Sequence, residues 1–205
     1  AIDDPDNYDK IATPMQYDYV ENYYLRFGEQ SVYDSYEKNI PVERAARFEE
    51  GDACFLSRWK LKTDNNDTYY KALESGYFNH GGLTTCEVYL IKAECQARLA
   101  EGNDYSEAMN TRIRPEVYRP AEASTLEEAL SQIRRTKDNE LIFSIVPFAD
   151  ARRYNQEGTY ARTLTKTYEE KEYTLSPTSH LWTMPFPAGA LNNPGNGTIE
   201  QNVTK

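Results

Sequence analysis

The stretch Cys86 to Leu99, Cys-Glu-Val-Tyr-Leu-Ile-Lys-Ala-Glu-Cys-Gln-Ala-Arg-Leu, constrains the fold more than any other part of the chain. At about 100° per residue, Val88, Ile91, Cys95 and Leu99 fall on one stripe, while Cys86, Leu90, Ala93, Ala97 and Ala100 fall on a second stripe on the opposite side. A surface helix needs a single buried stripe. Two stripes, one of large side chains and one mostly of small ones, predict a helix held between two layers of neighbours, as in stacked helical repeats.

Helix punctuation surrounds this stretch. Thr84 and Glu87 stand at capping-box spacing and Gly102 closes the helix. Asp104 and Glu107 form a second capping signal, opening a short helix through Ala108, Met109 and Ile113 that Pro115 ends. Two helices joined by about four residues pack as an antiparallel pair. Thr125 with Glu128 opens the longest helix, with Leu126, Ala129, Leu130, Ile133 and Leu141 on one face, and Pro147 stops it near Ile145.

The remaining segments are less regular. Residues 1 to 40 are acidic and rich in tyrosine, and the spacing of Tyr17, Val20, Tyr24 and Phe27 predicts one short helix between Met15 and Phe27. Pro41 permits a helical start for Val42 to Glu50, whose charges are expected to be solvated. Trp59-Lys60-Leu61-Lys62 alternates like an edge strand and runs into the turn signal Asp64-Asn65-Asn66-Asp67. Gln156 to Ser179 reads as a β-ribbon or ordered loop, and the Pro- and Gly-rich tail from Leu181 as extended chain. With 205 residues, one folding unit is expected: an irregular Tyr-rich segment (1–83), a helical core (84–146) and a loop, ribbon and tail (147–205).

Charge and composition narrow the chemistry. A net charge of -10 and a pI near 4.8 argue against nucleic acid and anionic membranes, leaving a neutral ligand or another protein. No apolar run approaches the roughly 18 residues that would span a bilayer. Beginning at Ala1 with no charged-then-apolar leader, the chain is expected to be processed or a fragment. Cys86 and Cys95 point apart on their helix and read as small buried hydrophobes, while Cys54 is allowed an exposed position with nothing to mark it as a nucleophile. Glu87, Glu94 and Glu101 lie on one seam, but seven residues rise about 10.5 Å, at or beyond the carboxyl separations of glycosidases. Arg98 makes them a solvated ion-pair rim instead. With His80 and His180 one hundred residues apart and no catalytic or phosphate-loop motif, neither an enzyme, a metal site nor a cofactor is expected.

Seventeen tyrosines against seven phenylalanines favour half-exposed rings that carry a polar tip. Such rings suit a surface that stacks on sugar rings or grips a protein partner, and Trp59, Tyr69, Tyr70 and Tyr77, from one aromatic-rich segment, are the candidate ligand-binding residues, a sugar's apolar face packing on a ring while polar neighbours meet its hydroxyls.

Three separated segments also resemble one family. Cys86 to Leu99 is similar to the E-V-Y-L-I-x-A-E-A helix of the SusD/RagB family, the substrate-binding outer-membrane lipoproteins of Bacteroidetes. Ile133-Arg134-Arg135, Glu140-Leu141 and Asp150-Ala151-Arg152-Arg153-Tyr154 resemble its I-R-x-E-R-R-x-E-L…D-L-R-R-W block, departing from it at Ser144-Ile145-Val146-Pro147. Leu181-Trp182-Thr183-Met184-Pro185, Asn193-Pro194 and Gln201-Asn202 resemble its closing L-W-P-I-P…N-P…Q-N. The resemblance covers about Thr84 to Asn202, and it implies a mainly α, SusD-like fold with tetratricopeptide-like helix pairs, long irregular loops and an extended C-terminal tail. It further implies a non-catalytic protein at the outer membrane and cell surface, anchored through an N-terminal lipid not present in this chain. Such a protein captures oligosaccharides for a partner SusC-like TonB-dependent transporter. The matched residues Glu87, Glu140, Asp150, Arg152 and Arg153 are assigned to structure. The competing expectation is a helical-repeat scaffold that binds only proteins or peptides.

Overall fold

In a computed structural model of the chain, residues 22–25, 38–73, 82–111, 122–193, 195 and 197–202 are described. The chain divides into two compact units, Ala1–Pro147 and Phe148–Lys205.

In the first unit, β1 (Asn22–Leu25) pairs antiparallel with β5 (Gly82–Thr84). Asn22–Leu25 are therefore extended and not part of a helix from Met15 to Phe27; the rest of that expected helix lies outside the described residues. A three-stranded antiparallel sheet has the order β2 (Asn39–Pro41), β4 (Asp67–Ala72), β3 (Trp59–Asp64). The expected edge strand and turn are present, with Asn65 and Asn66 at φ 48° and 73° joining β3 to β4. Asparagine tolerates this left-handed backbone, which a two-residue hairpin turn requires at both positions.

Helix α1 (Val42–Ala45) follows Pro41 and is a single turn. Helix α2 (Ala53–Arg58) runs straight into β3, and the Asp52 side chain accepts from the Phe55 N–H at 3.0 Å to cap it. Between these elements lies one apolar cluster of Ile40, Ala45, Trp59 and Ala72, against which Phe48, Phe55, Tyr70 and Ile142 pack.

Helix α3 (Thr85–Leu99) is capped by Thr84, whose hydroxyl accepts from the Glu87 N–H, as the spacing predicts. It packs against α4 (Ser106–Asn110) and α5 (Leu126–Glu140) through its stripe of Cys86, Leu90, Ala93 and Ala97, all buried. The opposite stripe departs from expectation, because Val88, Ile91, Cys95 and Leu99 are all exposed and Leu99 retains 79% of its surface. Among the described residues a layer covers one side only. The reason is packing distance: small side chains let α5 and α4 approach closely, and they face the buried Ala129, Leu130, Ile133, Ala108 and Met109 surfaces of those helices. At Asp104 the carboxylate accepts from the Ser106 N–H, and the segment expected to continue past Thr111 to Pro115 lies outside the described residues.

The capping box of Thr125 and Glu128 is formed in both directions. Pro147 does not stop this helix, which ends at Glu140, where Leu141 caps it and Phe143 turns the chain at φ 67°. Pro147 lies instead in the first turn of α6 (Val146–Tyr154), a position with no intrahelical N–H to lose.

The charges of Val42 to Glu50 are not simply solvated either. Arg44 donates to Asn139 Oδ1 and to the Asp138 carbonyl, Arg47 pairs with Asp138 at 2.8 Å, Glu49 pairs with Arg135 at 2.8 Å, and Asn139 donates to the Arg47 carbonyl. These contacts bury the polar last turns of α5, Thr136 to Glu140, where an amphipathic pattern offers no apolar face.

The second unit contains the rest of α6 from Phe148, a 3₁₀ turn at Gly158–Tyr160 and the predicted ribbon, β6 (Leu164–Tyr168) paired with β7 (Lys171–Leu175). Its tail is held by side chains. Buried Trp182 donates its indole N–H to the Ser176 carbonyl and stacks near Phe148, the Gln201 amide brackets Phe186, and Asn202 donates to the His180 and Thr183 carbonyls. A short helix, α7 (Ala188–Leu191), interrupts the extended path.

The expectation of a mainly α, SusD-like fold with tetratricopeptide-like pairs does not hold: the chain is mixed α/β, with seven strands in three antiparallel sheets among the described residues. Its strands are short, and only the β3–β4 and β6–β7 pairs are joined by two-residue turns, the others pairing segments far apart in the chain. Such pairing is decided between segments and is weakly marked within each one.

Candidate functional site

The four aromatic residues singled out by sequence do not form one platform. Trp59 is 5% exposed and belongs to the apolar cluster. Tyr70 faces the same way, its ring 5.0 Å from Phe55 in an edge-on contact. Tyr69, the preceding residue on β4, points to the opposite, outer face because side chains alternate along a strand. Tyr77 lies outside the described residues.

The outer face around Tyr69 is ordered in rows by the strand register. Lys60 of β3 stands opposite Lys71 of β4, and Asn39 of β2 continues that row. In the next row Lys62 stands opposite Tyr69, with Pro41 on the far side of Tyr69. At the hairpin end Asp64 stands opposite Asp67. Lys60, Lys62, Asp64 and Asp67 are exposed, and Tyr69 and Lys71 are half-buried. A cationic row, an aromatic row and an anionic row therefore succeed one another across a single sheet face. The Trp-Lys-Leu-Lys alternation puts Lys60 and Lys62 on the outer face, and a two-residue turn at Asn65 and Asn66 sets Lys60 against Lys71.

A second cluster lies in the interior. Ligand atoms of Asp52, Cys54 and Glu140 all come within 4.8 Å of one another. Burial, then the neighbouring Glu140 charge, pushes the Asp52 carboxyl above its ordinary value, against the opposing pull of the Phe55 and Cys54 N–H groups and Arg58. The donor set is of a kind that binds divalent metals, yet its members already have work: Asp52 caps α2, and the Arg58 guanidinium lies 3.7 Å from Glu140. An ion there would have to displace a cap and compete with a fixed positive charge.

The glutamate seam on α3 also differs from expectation. Glu94 is not a solvated rim residue; it is 5% exposed, and its Oε1 meets Arg98 at 2.7 Å and Arg134 at 3.6 Å. Cys95 is exposed and Cys54 buried. Of the residues assigned to structure, Glu140 and Asp150 are buried, Asp150 meets Arg153 at 3.4 Å, Glu87 follows the α3 cap, and Arg152 is exposed.

No protein-family model matches the chain, and no curated protein sequence matches it. Among the described residues no helix is long and apolar enough to cross a membrane.

Proposed function

We propose that this chain is a non-catalytic binding protein that captures glycans at the cell surface, lipid-anchored at the outer membrane, for import through a partner SusC-like TonB-dependent transporter. The outer face of the β2–β4–β3 sheet carries this reading. There the half-buried Tyr69 ring is flanked by Lys62 and Pro41, with hydrogen-bonding lysines on one side and carboxylates on the other. A ring available to a sugar's C–H face with polar groups within one strand repeat is the arrangement that sugar binding uses. The motif resemblance supports it in a second way, since Glu94 of the first motif and Arg134 of the second meet as a buried ion pair.

Calorimetric titration of the protein with a panel of neutral and acidic oligosaccharides tests this. Binding of at least one glycan, lost in Tyr69→Ala with folding intact, is the expected result. Absence of binding to every glycan, with no transporter barrel co-purifying, would overturn it.

The exposed Val88, Ile91 and Leu99 stripe of α3 favours a second reading, a scaffold for protein or peptide partners. Under that reading Ile91→Glu abolishes association with a partner and Tyr69→Ala does not.

A further inference from the structure

The β6–β7 ribbon is a two-stranded sheet, and every residue of its strands except Leu175 is exposed. A two-stranded hairpin is marginally stable in water, and further strands are what ordinarily stabilise it. Its two edges differ. The pair that closes the two-residue loop, Tyr168 with Lys171, is hydrogen-bonded through the backbone, and by alternation so are Lys166 with Tyr173 and Leu164 with Leu175. The backbone groups of Thr165 and Thr167 therefore point out from β6 and those of Glu172 and Thr174 point out from β7, and among the described residues no strand lies beside either edge.

A charge at the centre of an edge closes it to a second copy of itself. If two β6 edges met antiparallel about their midpoint, Lys166 would face Lys166, like charges in a closely spaced non-hydrogen-bonded pair. β7 carries no such guard. Two β7 strands meeting about Tyr173 set ring against ring, Lys171 against Leu175 and Glu172 against Thr174, with no like charges opposed. In that register Glu172 and Thr174 form the hydrogen-bonded pairs, which is where their outward backbone groups point, and Tyr173 meets its counterpart in a non-hydrogen-bonded pair. We infer that β7 is a homodimer-forming edge: a second copy of this chain lays its β7 antiparallel to the first, making one continuous sheet in the order β6, β7, β7, β6. This pairing does not depend on glycan binding. Edges of 5 residues bury less than the roughly 1,200 Å² of a stable interface, so the dimer dissociates with a constant between about 1 µM and 1 mM.

Sedimentation equilibrium of the full chain from about 10 µM to about 1 mM reads the association. Thr174→Pro removes an outward N–H that the ribbon does not use, a change an edge position tolerates, so the fold stays intact and the dimer weakens by at least about tenfold. Cross-linking is a second readout that leaves the backbone alone. In a Cys95→Ser background, which removes the exposed native thiol, Tyr173→Cys places two thiols in a pair whose Cα atoms are about 4.5 Å apart, within disulfide reach. Air oxidation should link them at least about tenfold faster than it links Lys166→Cys on β6. A chain that stays monomeric to about 1 mM, a dimer that Ile91→Glu on α3 abolishes and Thr174→Pro leaves unchanged, or equal cross-linking of Tyr173→Cys and Lys166→Cys overturns the inference.

Discussion

Glu94 Oε1 receives Arg98 and Arg134 where water hardly reaches. Truncating Glu94 to alanine removes the carboxylate that both guanidiniums share and should lower stability by about 3 kcal/mol. Arg98 is the more exposed partner, so Arg98→Ala should lower it by less than about 1 kcal/mol. Urea unfolding of the two variants checks this, and equal losses would show that burial does not separate the two contacts. Asp52 offers a test with a defined sign. Its folded pKa is raised above 3.8, so the native chain holds that proton more tightly than the unfolded chain does. The group's contribution is complete below 3.8 and disappears as pH rises through the raised value. Asp52→Asn keeps an oxygen to accept from Phe55 N–H and mimics the protonated form. It should therefore melt higher than the parent near neutral pH, with the difference closing as pH falls toward 3.8. A difference that stays constant with pH would remove Asp52 as its source.

At the level of elements, α3 separates what periodicity can say from what it cannot. Both stripes are apolar in sequence, but only the one with small residues has α5 and α4 against it. Leu90→Ala should lower stability by about 3 kcal/mol, since Leu90 is fully buried and its loss leaves a cavity. Leu99→Lys, at a site almost wholly in water, should stay within about 0.5 kcal/mol of the parent. Comparable losses by thermal or urea unfolding would mean that the outer stripe is covered in solution. The hairpins show the opposite case. The Asn65-Asn66 turn signal was legible, but the strand that follows it and its register were not, and the ribbon turn uses Glu169 and Glu170 at φ 49° and 62°, residues that announce no such turn.

For the whole molecule, the net charge of -10 and the charge of a single face are different quantities. The total predicts self-repulsion, and shortening the screening length from about 30 Å to about 8 Å with salt should raise the melting temperature modestly. Scanning calorimetry across a salt series reads this, and a melting temperature that falls with salt would show that ion pairs such as Arg47–Asp138 outweigh the net repulsion. A sum over the chain discards position. The sheet register restores it by bringing Lys71 across from Lys60.

By itself the sequence determined the local signals: the caps at Thr84 and Thr125, the turn at Asn65-Asn66, and the alternation that turns Trp59 away from Lys60. Each depends on residues within one turn or one strand repeat, where backbone geometry leaves few choices. Tertiary structure alone decided which side of α3 is covered, that Glu94 is buried, that Pro147 starts a helix, and that Trp59 and Tyr70 serve the core while Tyr69 faces out. Those outcomes depend on which distant segment packs nearby, and a free-energy balance between segments has no signature within either one.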